Sequence, residues 1–173
     1  MDFEEIVHRY SKTIYQTAYM YVKNKEAAED ITQEVFLNFY KNQQQYRGEA
    51  SLKTYLTRMT YNRCYDYSKS WKNKAHVWIE KMTLKGKTAV ETDVTRDEQQ
   101  TELLDAVLEL AMPYRVVIIF YYYNELKIRE IAELLACSEN TIHTRLKRAK
   151  AQLSERLSDW EGEWYEEAAR EGD

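Results

Sequence analysis

The sequence predicts an all-α protein: two small helical domains joined by a flexible linker, the second a four-helix domain of helix-turn-helix type. Three observations carry this expectation. The chain of 173 residues holds one Pro and four Gly, a composition that favours helix over sheet. Apolar residues recur every three or four positions through most of it, which lines one face of a helix. The periodicity comes in two blocks, 1–71 and 99–157, separated by an aperiodic stretch, 72–98, and followed by an acidic tail, 158–173.

In the first block Phe3, Ile6, Val7, Tyr10, Ile14, Ala18, Tyr21 and Val22 share helical spacing, which breaks at Lys23-Asn24-Lys25. A second helix is predicted from about Glu26 to Lys41, with Ile31, Val35, Phe36, Phe39 and Tyr40 inside. The polar loop Asn42 to Ala50 contains Gly48, and Ser51 then offers an N-cap hydroxyl to a third helix. That helix runs through Leu52, Tyr55, Leu56, Met59, Cys64 and Tyr67. Three amphipathic helices of this length can bury a common core. From Lys72 to Glu98 the charge is mixed and no period is sustained, so this segment is read as linker, with a short helix around Val77 to Met82.

The second block opens near Gln99 with Leu103, Leu104, Val107, Leu108 and Leu110 at helical spacing, and Pro113 suits the first turn of the next helix. The run from Arg115 to Tyr123 is continuously β-branched and aromatic, which by propensity favours strand. An isolated strand would have no partner, whereas a helix that is apolar nearly all round is simply buried, so helix is expected. Residues Lys127 to Leu157 then spell a short helix, a tight turn and a longer basic helix, the layout that places its second helix in the DNA major groove. Ile128, Ile131, Ala132, Leu134 and Leu135 form the first stripe, and Ser138 is a good N-cap for the second helix. Ile142, Leu146, Ala149, Leu153 and Leu157 line that helix's inner face, while His143, Thr144, Lys147, Arg148 and Lys150 fall opposite. Ala136 occupies a turn position that often carries Gly, and positive φ there would cost about 1 kcal/mol.

The formal charge of −4 conceals a partition. Residues 158–173 carry a net −6, which leaves the rest of the chain at +2, and between Glu139 and Arg156 five basic residues outnumber two acidic ones. That local excess suits a phosphate backbone, although any surface helix is charged outside. Cys64 and Cys137 lie far apart on or beside apolar faces, which argues against a disulfide framework and suits a reducing cytosol. No run approaches the length of a membrane span and the N-terminus is acidic, so a cytoplasmic protein without signal peptide is expected. His8, His76 and His143 join no metal-ligand spacing, and neither a Gly-rich phosphate loop nor a Ser/His/Asp arrangement occurs. No metal, cofactor or small-molecule substrate is therefore expected, and the chain is read as not an enzyme.

Four segments in register resemble the extracytoplasmic-function group of bacterial RNA polymerase sigma factors, over about residues 3–157. Asp30-Ile31-Thr32-Gln33-Glu34-Val35-Phe36 is similar to the family's D-x-x-Q-E-x-F helix. Tyr46-Arg47-Gly48-Glu49-Ala50-Ser51 followed by Leu52-Lys53-Thr54-Tyr55-Leu56 is similar to its F-R-G-x-x-x-F-x-T-W-L segment, and Met112-Pro113 through Leu157 resembles its region four.

The resemblance implies roles. Asp30, Gln33 and Glu34, three and four apart on one helical face, would dock on core RNA polymerase; the plain alternative is a solvated acidic face. The loop from Gln45 to Ala50 would receive a base flipped from the melted minus-10 element: Gly48 for backbone approach, Tyr46 for stacking, Arg47 for charge, with Glu49 beside them. Tyr55 and Asn62 would line that site and Arg58, Arg63 and Lys69 would meet phosphates; Tyr55 is equally a core aromatic. His143, Thr144, Lys147 and Arg148 would read duplex minus-35 DNA, flanked by Asn140, Thr141 and Arg145, with Arg148 the best candidate for guanine and Thr141 for a phosphate. His143 stands where Arg or Lys is frequent in the family. An anti-sigma factor that masks both DNA surfaces is a further implied partner.

A stand-alone helix-turn-helix regulator would explain the last helix equally well but leaves the first block unexplained. A helical, tyrosine-rich interaction module is a third reading, separated by whether the protein binds DNA at all. The tail, with Trp160, Trp164 and Tyr165 among its carboxylates, reads as a frayed solubilising end or as a mildly autoinhibitory segment that covers the recognition helix.

Overall fold

The computed structural model describes residues 2–78 and 98–157, with side chains described for 2–70 and 101–157. Among these residues all regular structure is helical, as the spacing predicts. The chain divides into two compact units, Met1–Val90 and Glu91–Asp173. The acidic tail and most of the interval read as linker lie outside the described residues.

The first unit contains α1 (Phe3–Val22), α2 (Lys25–Lys41) and α3 (Leu52–Trp78). Asp2 opens α1 by accepting the backbone N–H of Glu4 at 2.6 Å, and the Glu5 carboxylate accepts that of Asp2 at 3.1 Å. This reciprocal box satisfies donors that a helix start otherwise leaves orphaned. Lys23 ends α1 in the left-handed region, φ 55, with its N–H on the Tyr19 carbonyl at 2.8 Å. Asn24 then caps α2 by accepting the N–H of Ala27 at 2.8 Å. The predicted break is thus a two-residue corner between abutting caps.

All three helices pack on one another. Ile6, Ile14 and Ala18 of α1 and Ile31, Val35, Phe36 and Phe39 of α2 are buried. Tyr40, expected inside, is 60% exposed instead. α3 departs further from expectation. It buries Thr54, Leu56, Thr57, Thr60 and Cys64, while Leu52, Tyr55, Met59 and Tyr67 are only half-buried. Small β-branched side chains let neighbouring helices approach closely, and a buried Thr can satisfy its hydroxyl locally. Thr60 does so by donating to the Leu56 carbonyl at 2.8 Å. Burial pushes the Cys64 thiol from 9.0 up to about 12, against a smaller opposing effect of a backbone hydrogen bond, so it remains a protonated small hydrophobe. α3 also continues past Lys72 to Trp78, because no Gly or Pro interrupts the chain between Ser51 and Lys85. Of the short helix predicted at Val77 to Met82, only residues to Trp78 are described, as the end of α3.

The second unit contains α4 (Glu98–Glu109), α5 (Met112–Ile118), α6 (Ile128–Leu134) and α7 (Glu139–Arg156). Pro113 sits in the first turn of α5. Arg115 is buried, and its Nη1 donates to the Leu108 carbonyl at 2.8 Å, which places a cation on the last turn of α4 where the helix dipole is negative. Val116 through Phe120 are all buried, in keeping with a helix apolar nearly all round. From Ile119 to Tyr123 the helix widens into a π turn, closed by the Asn124 N–H on the Ile119 carbonyl at 2.9 Å. α7 packs against α5 and α6 through Ile142, Leu146, Ala149 and Leu153, and Leu157 beyond it is buried as well. An ion pair from Arg156 to Glu109 fixes its end to α4.

Candidate functional site

On α2, Asp30, Gln33 and Glu34 are all exposed and share one face. Leu37, 57% exposed, continues the same stripe three and four residues on, and Tyr40 stands beside it with its ring edge-on to Phe3 at 4.9 Å. Neither Leu37 nor Tyr40 was singled out in the sequence as a surface residue. Counting hydrophobic residues places Tyr40 inside, and the available signal was that Phe36 and Phe39 already fill the inward positions. Arg63 of α3 reaches toward this face, its Nε 3.8 Å from a Glu34 carboxylate oxygen. The structure therefore separates Arg63 from the other residues assigned to minus-10 DNA and sets it beside Glu34.

The loop between α2 and α3 begins with a 3-10 turn, Gln43–Gln45, and Gly48 follows at φ 74. Nothing lies within 4 Å of where a Cβ on Gly48 would stand, so the backbone's handedness, not crowding, calls for glycine. Tyr46 is held in place: its hydroxyl donates to the Ala50 carbonyl at 2.8 Å, and its ring lies 5.1 Å from that of Tyr55, tilted 51°. Tyr55 in turn meets Phe39 edge-on at 6.2 Å. Tyr55 is thus half core aromatic and half surface, with its inner side on Phe39 and its outer side on the loop. Arg47, Glu49, Arg58 and Asn62 are exposed. At 100° per residue Tyr55, Arg58, Asn62 and Lys69 fall on one face of α3, and Arg63 is turned away from it.

In the second unit Ser138 caps α7 as expected, accepting the Thr141 N–H at 3.2 Å, with the two hydroxyls 2.9 Å apart. The Thr141 hydroxyl is accordingly already engaged at the cap. Ala136 does adopt a left-handed conformation, φ 51, and the turn is closed by the Cys137 N–H on the Ala132 carbonyl at 3.0 Å. Asn140, His143, Thr144, Lys147 and Arg148 are exposed, Arg145 is half-buried, and Thr144 donates back to the Asn140 carbonyl at 2.9 Å. Lys150 lies to the side, its ammonium 5.7 Å over the ring of Tyr122. A shallow groove separates the start of α5 (Ala111, Pro113, Tyr114) from Thr141, Arg145 and Arg148 of α7. Two guanidinium groups on its rim suit a phosphate strand running along the recognition helix.

The chain matches the family model of Sigma-70 region 2 over residues 6–73 and that of Sigma-70, region 4 over residues 100–153. It is 30% identical over 167 residues to the ECF RNA polymerase sigma factor SigW of Bacillus subtilis, covering 91% of this chain and 89% of that protein. It is 29% identical over 140 residues to RNA polymerase sigma factor SigV of the same organism, 81% of each chain. Among solved structures, the sigma factor RpoE of Bartonella quintana, crystallised with the anti-sigma factor NepR, shares the fold with a TM-score of 0.74 at 20% identity, over 91% of this chain and 97% of that one. CnrH, in complex with the cytosolic domain of CnrY, gives a TM-score of 0.61 at 19% identity, over 91% and 88%. The chain belongs to the extracytoplasmic-function group of the sigma-70 family: it is an alternative sigma factor, which binds core RNA polymerase and directs promoter recognition and the initiation of transcription.

Proposed function

We propose that the two units divide initiation between them, with 1–71 engaging core polymerase and melted minus-10 DNA, 99–157 engaging duplex minus-35 DNA, and 72–98 acting as the linker. Asp30, Gln33 and Glu34 dock on core enzyme, with Leu37 as an apolar contact in the same stripe. Tyr46, Arg47, Gly48 and Glu49 form the pocket for one flipped base, backed by Tyr55 and flanked by Arg58 and Asn62. Arg63, turned away from this set, lies beside Glu34 on the docking face. On α7, His143, Thr144, Lys147 and Arg148 face the major groove, while Asn140, Thr141 and Arg145 lie along the phosphates. The protein carries out no bond chemistry of its own and works in the cytoplasm; no helix among the described residues is long and apolar enough to cross a membrane.

The observation that carries the base-capture part is the fixed posture of Tyr46, tied to Ala50 by its hydroxyl and braced on Tyr55. A preformed aromatic site loses less conformational entropy when a base enters. An anti-sigma factor is the third partner, supported by the similar fold solved with the anti-sigma factor NepR. Transcription in vitro with purified core polymerase on a promoter-fragment library tests the whole reading. Start-site-specific transcripts should depend on the protein and fall with Asp30→Ala, Tyr46→Ala and Arg148→Ala. Core enzyme that binds the triple variant of Asp30, Gln33 and Glu34 as tightly as wild type removes the docking assignment. The free full-length chain is expected to bind promoter duplex poorly in a gel shift, and tight specific binding there contradicts the need for core enzyme to position the units.

A further inference from the structure

The groove beside the recognition helix combines two chemistries. On its α5 side Ala111 and Pro113 are exposed and Tyr114 is half-buried, so that wall is apolar and aromatic, while Arg145 and Arg148 supply cations from α7. A phosphate strand engages the cations but gains little from the apolar wall. A peptide that sets rings between carboxylates uses both, because a ring buries its flat faces against apolar surface and a carboxylate accepts paired hydrogen bonds from a guanidinium group.

The chain itself supplies such a peptide. Residues 158–173 carry seven acidic side chains and one basic one, and Glu163-Trp164-Tyr165-Glu166-Glu167 places two rings between three carboxylates. Leu157, where the described residues end, is buried after the last turn of α7. The groove side of that helix, from Arg148 to Thr141, lies about 14 to 24 Å back along the axis from Leu157. Trp164 is seven residues beyond Leu157, and that length of extended chain reaches about 23–25 Å. Trp164 and Tyr165 can therefore come level with the groove when the tail turns back along α7.

Charge along that path favours the same segment. At 100° per residue Glu155, Gln152, Ala151, Arg148 and Arg145 follow one another along the groove side of α7. Exposed Glu155 repels the first carboxylates of the tail, Gln152 and Ala151 are neutral, and the two guanidinium groups attract. Glu139 lies on the opposite side of the helix from Arg148, and Glu109 is held by Arg156. The carboxylates that gain are thus those around Trp164, not Asp159. A short tether holds its end at an effective concentration in the millimolar range, so a contact of about millimolar affinity is enough to fill the groove about half the time or more.

We propose that the tail segment 163–167 occupies the groove between α5 and α7, with Trp164 and Tyr165 against Ala111, Pro113 and Tyr114 and its carboxylates on Arg145 and Arg148, and so competes with minus-35 DNA. The docking rests on the groove and the chemistry of the tail; the competition rests on the minus-35 reading of α7.

Amide NMR spectra of the full-length chain and of a variant ending at Leu157 test the docking. The amides of Thr141, Thr144 and Arg145 should shift between the two, and the shifts should persist on dilution. Trp164→Ala combined with Tyr165→Ala keeps every charge and should move the same amides as the truncation does. If neither variant moves them, the docking is overturned; shifts that vanish on dilution give the groove to the tail of a second copy and overturn it too. Competition is read as binding of holoenzyme to a promoter fragment that it transcribes. The truncated chain should bind about 3- to 10-fold tighter at low salt, the double variant should show most of that gain, and the difference should fade at about 0.5 M salt, where surface charges are screened. A gain on truncation without the NMR shifts means a tail that repels DNA by charge alone, and overturns the docking. Shifts without any gain support the docking and overturn the competition.

Discussion

α3 turns Thr54, Thr57, Thr60 and Cys64 inward around Leu56, whereas α7 turns Ile142, Leu146, Ala149 and Leu153 inward. Their outer faces differ in the opposite sense. α3 shows Tyr65 and part of Tyr61 among Arg58, Asn62, Asp66 and Lys69, while α7 shows His143, Thr144, Lys147 and Arg148 without a tyrosine. Helix α7 follows the ordinary rule of apolar inside and charged outside, which suits a rod that lies in a duplex groove and meets phosphates and base edges. Helix α3 partly inverts it. Rings on an outer face offer flat surfaces for stacking, a contact that charged side chains alone do not provide.

The sharpest test of this contrast is in the cores. Leu153 is fully buried, so Leu153→Ala should cost about 2–5 kcal/mol of stability, read as a lower urea midpoint. Thr57→Val should act the other way: the Thr57 hydroxyl is buried with no hydrogen-bond partner, and removing it should stabilise by about 1 kcal/mol. A large loss with Thr57→Val would show instead that the Thr57 hydroxyl is hydrogen-bonded in the folded protein.

Next come the ligand contacts. Arg148→Ala should cost about 1–3 kcal/mol at one base pair of the minus-35 element and relax its specificity, while Arg145→Ala, along the phosphates, should weaken all sequences alike and lower the salt slope by about 1. Tyr46→Ala should instead weaken single-strand binding by about 1–3 kcal/mol with an unchanged salt slope. Holoenzyme binding titrated over a range of salt concentrations separates the two patterns, and a salt slope that falls with Tyr46→Ala would erase the distinction between the surfaces.

A smaller effect compares the two turns. Gly48 at φ 74 and Ala136 at φ 51 have the same left-handed backbone with opposite residues. Gly48→Ala should destabilise by about 1 kcal/mol, through backbone strain alone because its surroundings are open, and Ala136→Gly should stabilise by a similar amount. Thermal melts read both signs. Smallest of all is the pair of Arg63 and Glu34, with side chains 41% and 58% exposed. A double-mutant cycle should give a coupling below about 1 kcal/mol, so a larger loss of core binding from Arg63→Ala would have to come from contact with polymerase or DNA.

Legibility followed the same division. In α7 the cap at Ser138, the inner stripe and the exposed His143, Thr144, Lys147 and Arg148 are each where their spacing places them, because one continuous helix converts sequence interval directly into angle. The buried run from Val116 to Phe120 was readable from hydrophobicity, but the π turn that follows it was not, since closing a turn over five residues is a matter of how the next segment packs. In α3 Leu56 and Cys64 are buried as expected, whereas Tyr55, Met59 and Tyr67 are only half-buried and Thr54, Thr57 and Thr60 take inner positions, because threonines count as polar until a neighbouring helix makes them small and close. Tyr40 misled in the same way.

The sequence by itself determined the helical class, the two periodic blocks, the break at Lys23-Asn24-Lys25, the caps at Ser51 and Ser138, and the motifs that mark a sigma factor. These depend on interactions between residues a few positions apart, which spacing encodes. Only the tertiary structure decided that Arg63 turns to Glu34, that Tyr46 braces on Tyr55 and Tyr55 on Phe39, and that Tyr61 rests on Tyr21. Those contacts join residues from different helices or loops, and their geometry is fixed by how α1, α2 and α3 pack, a quantity no local pattern contains.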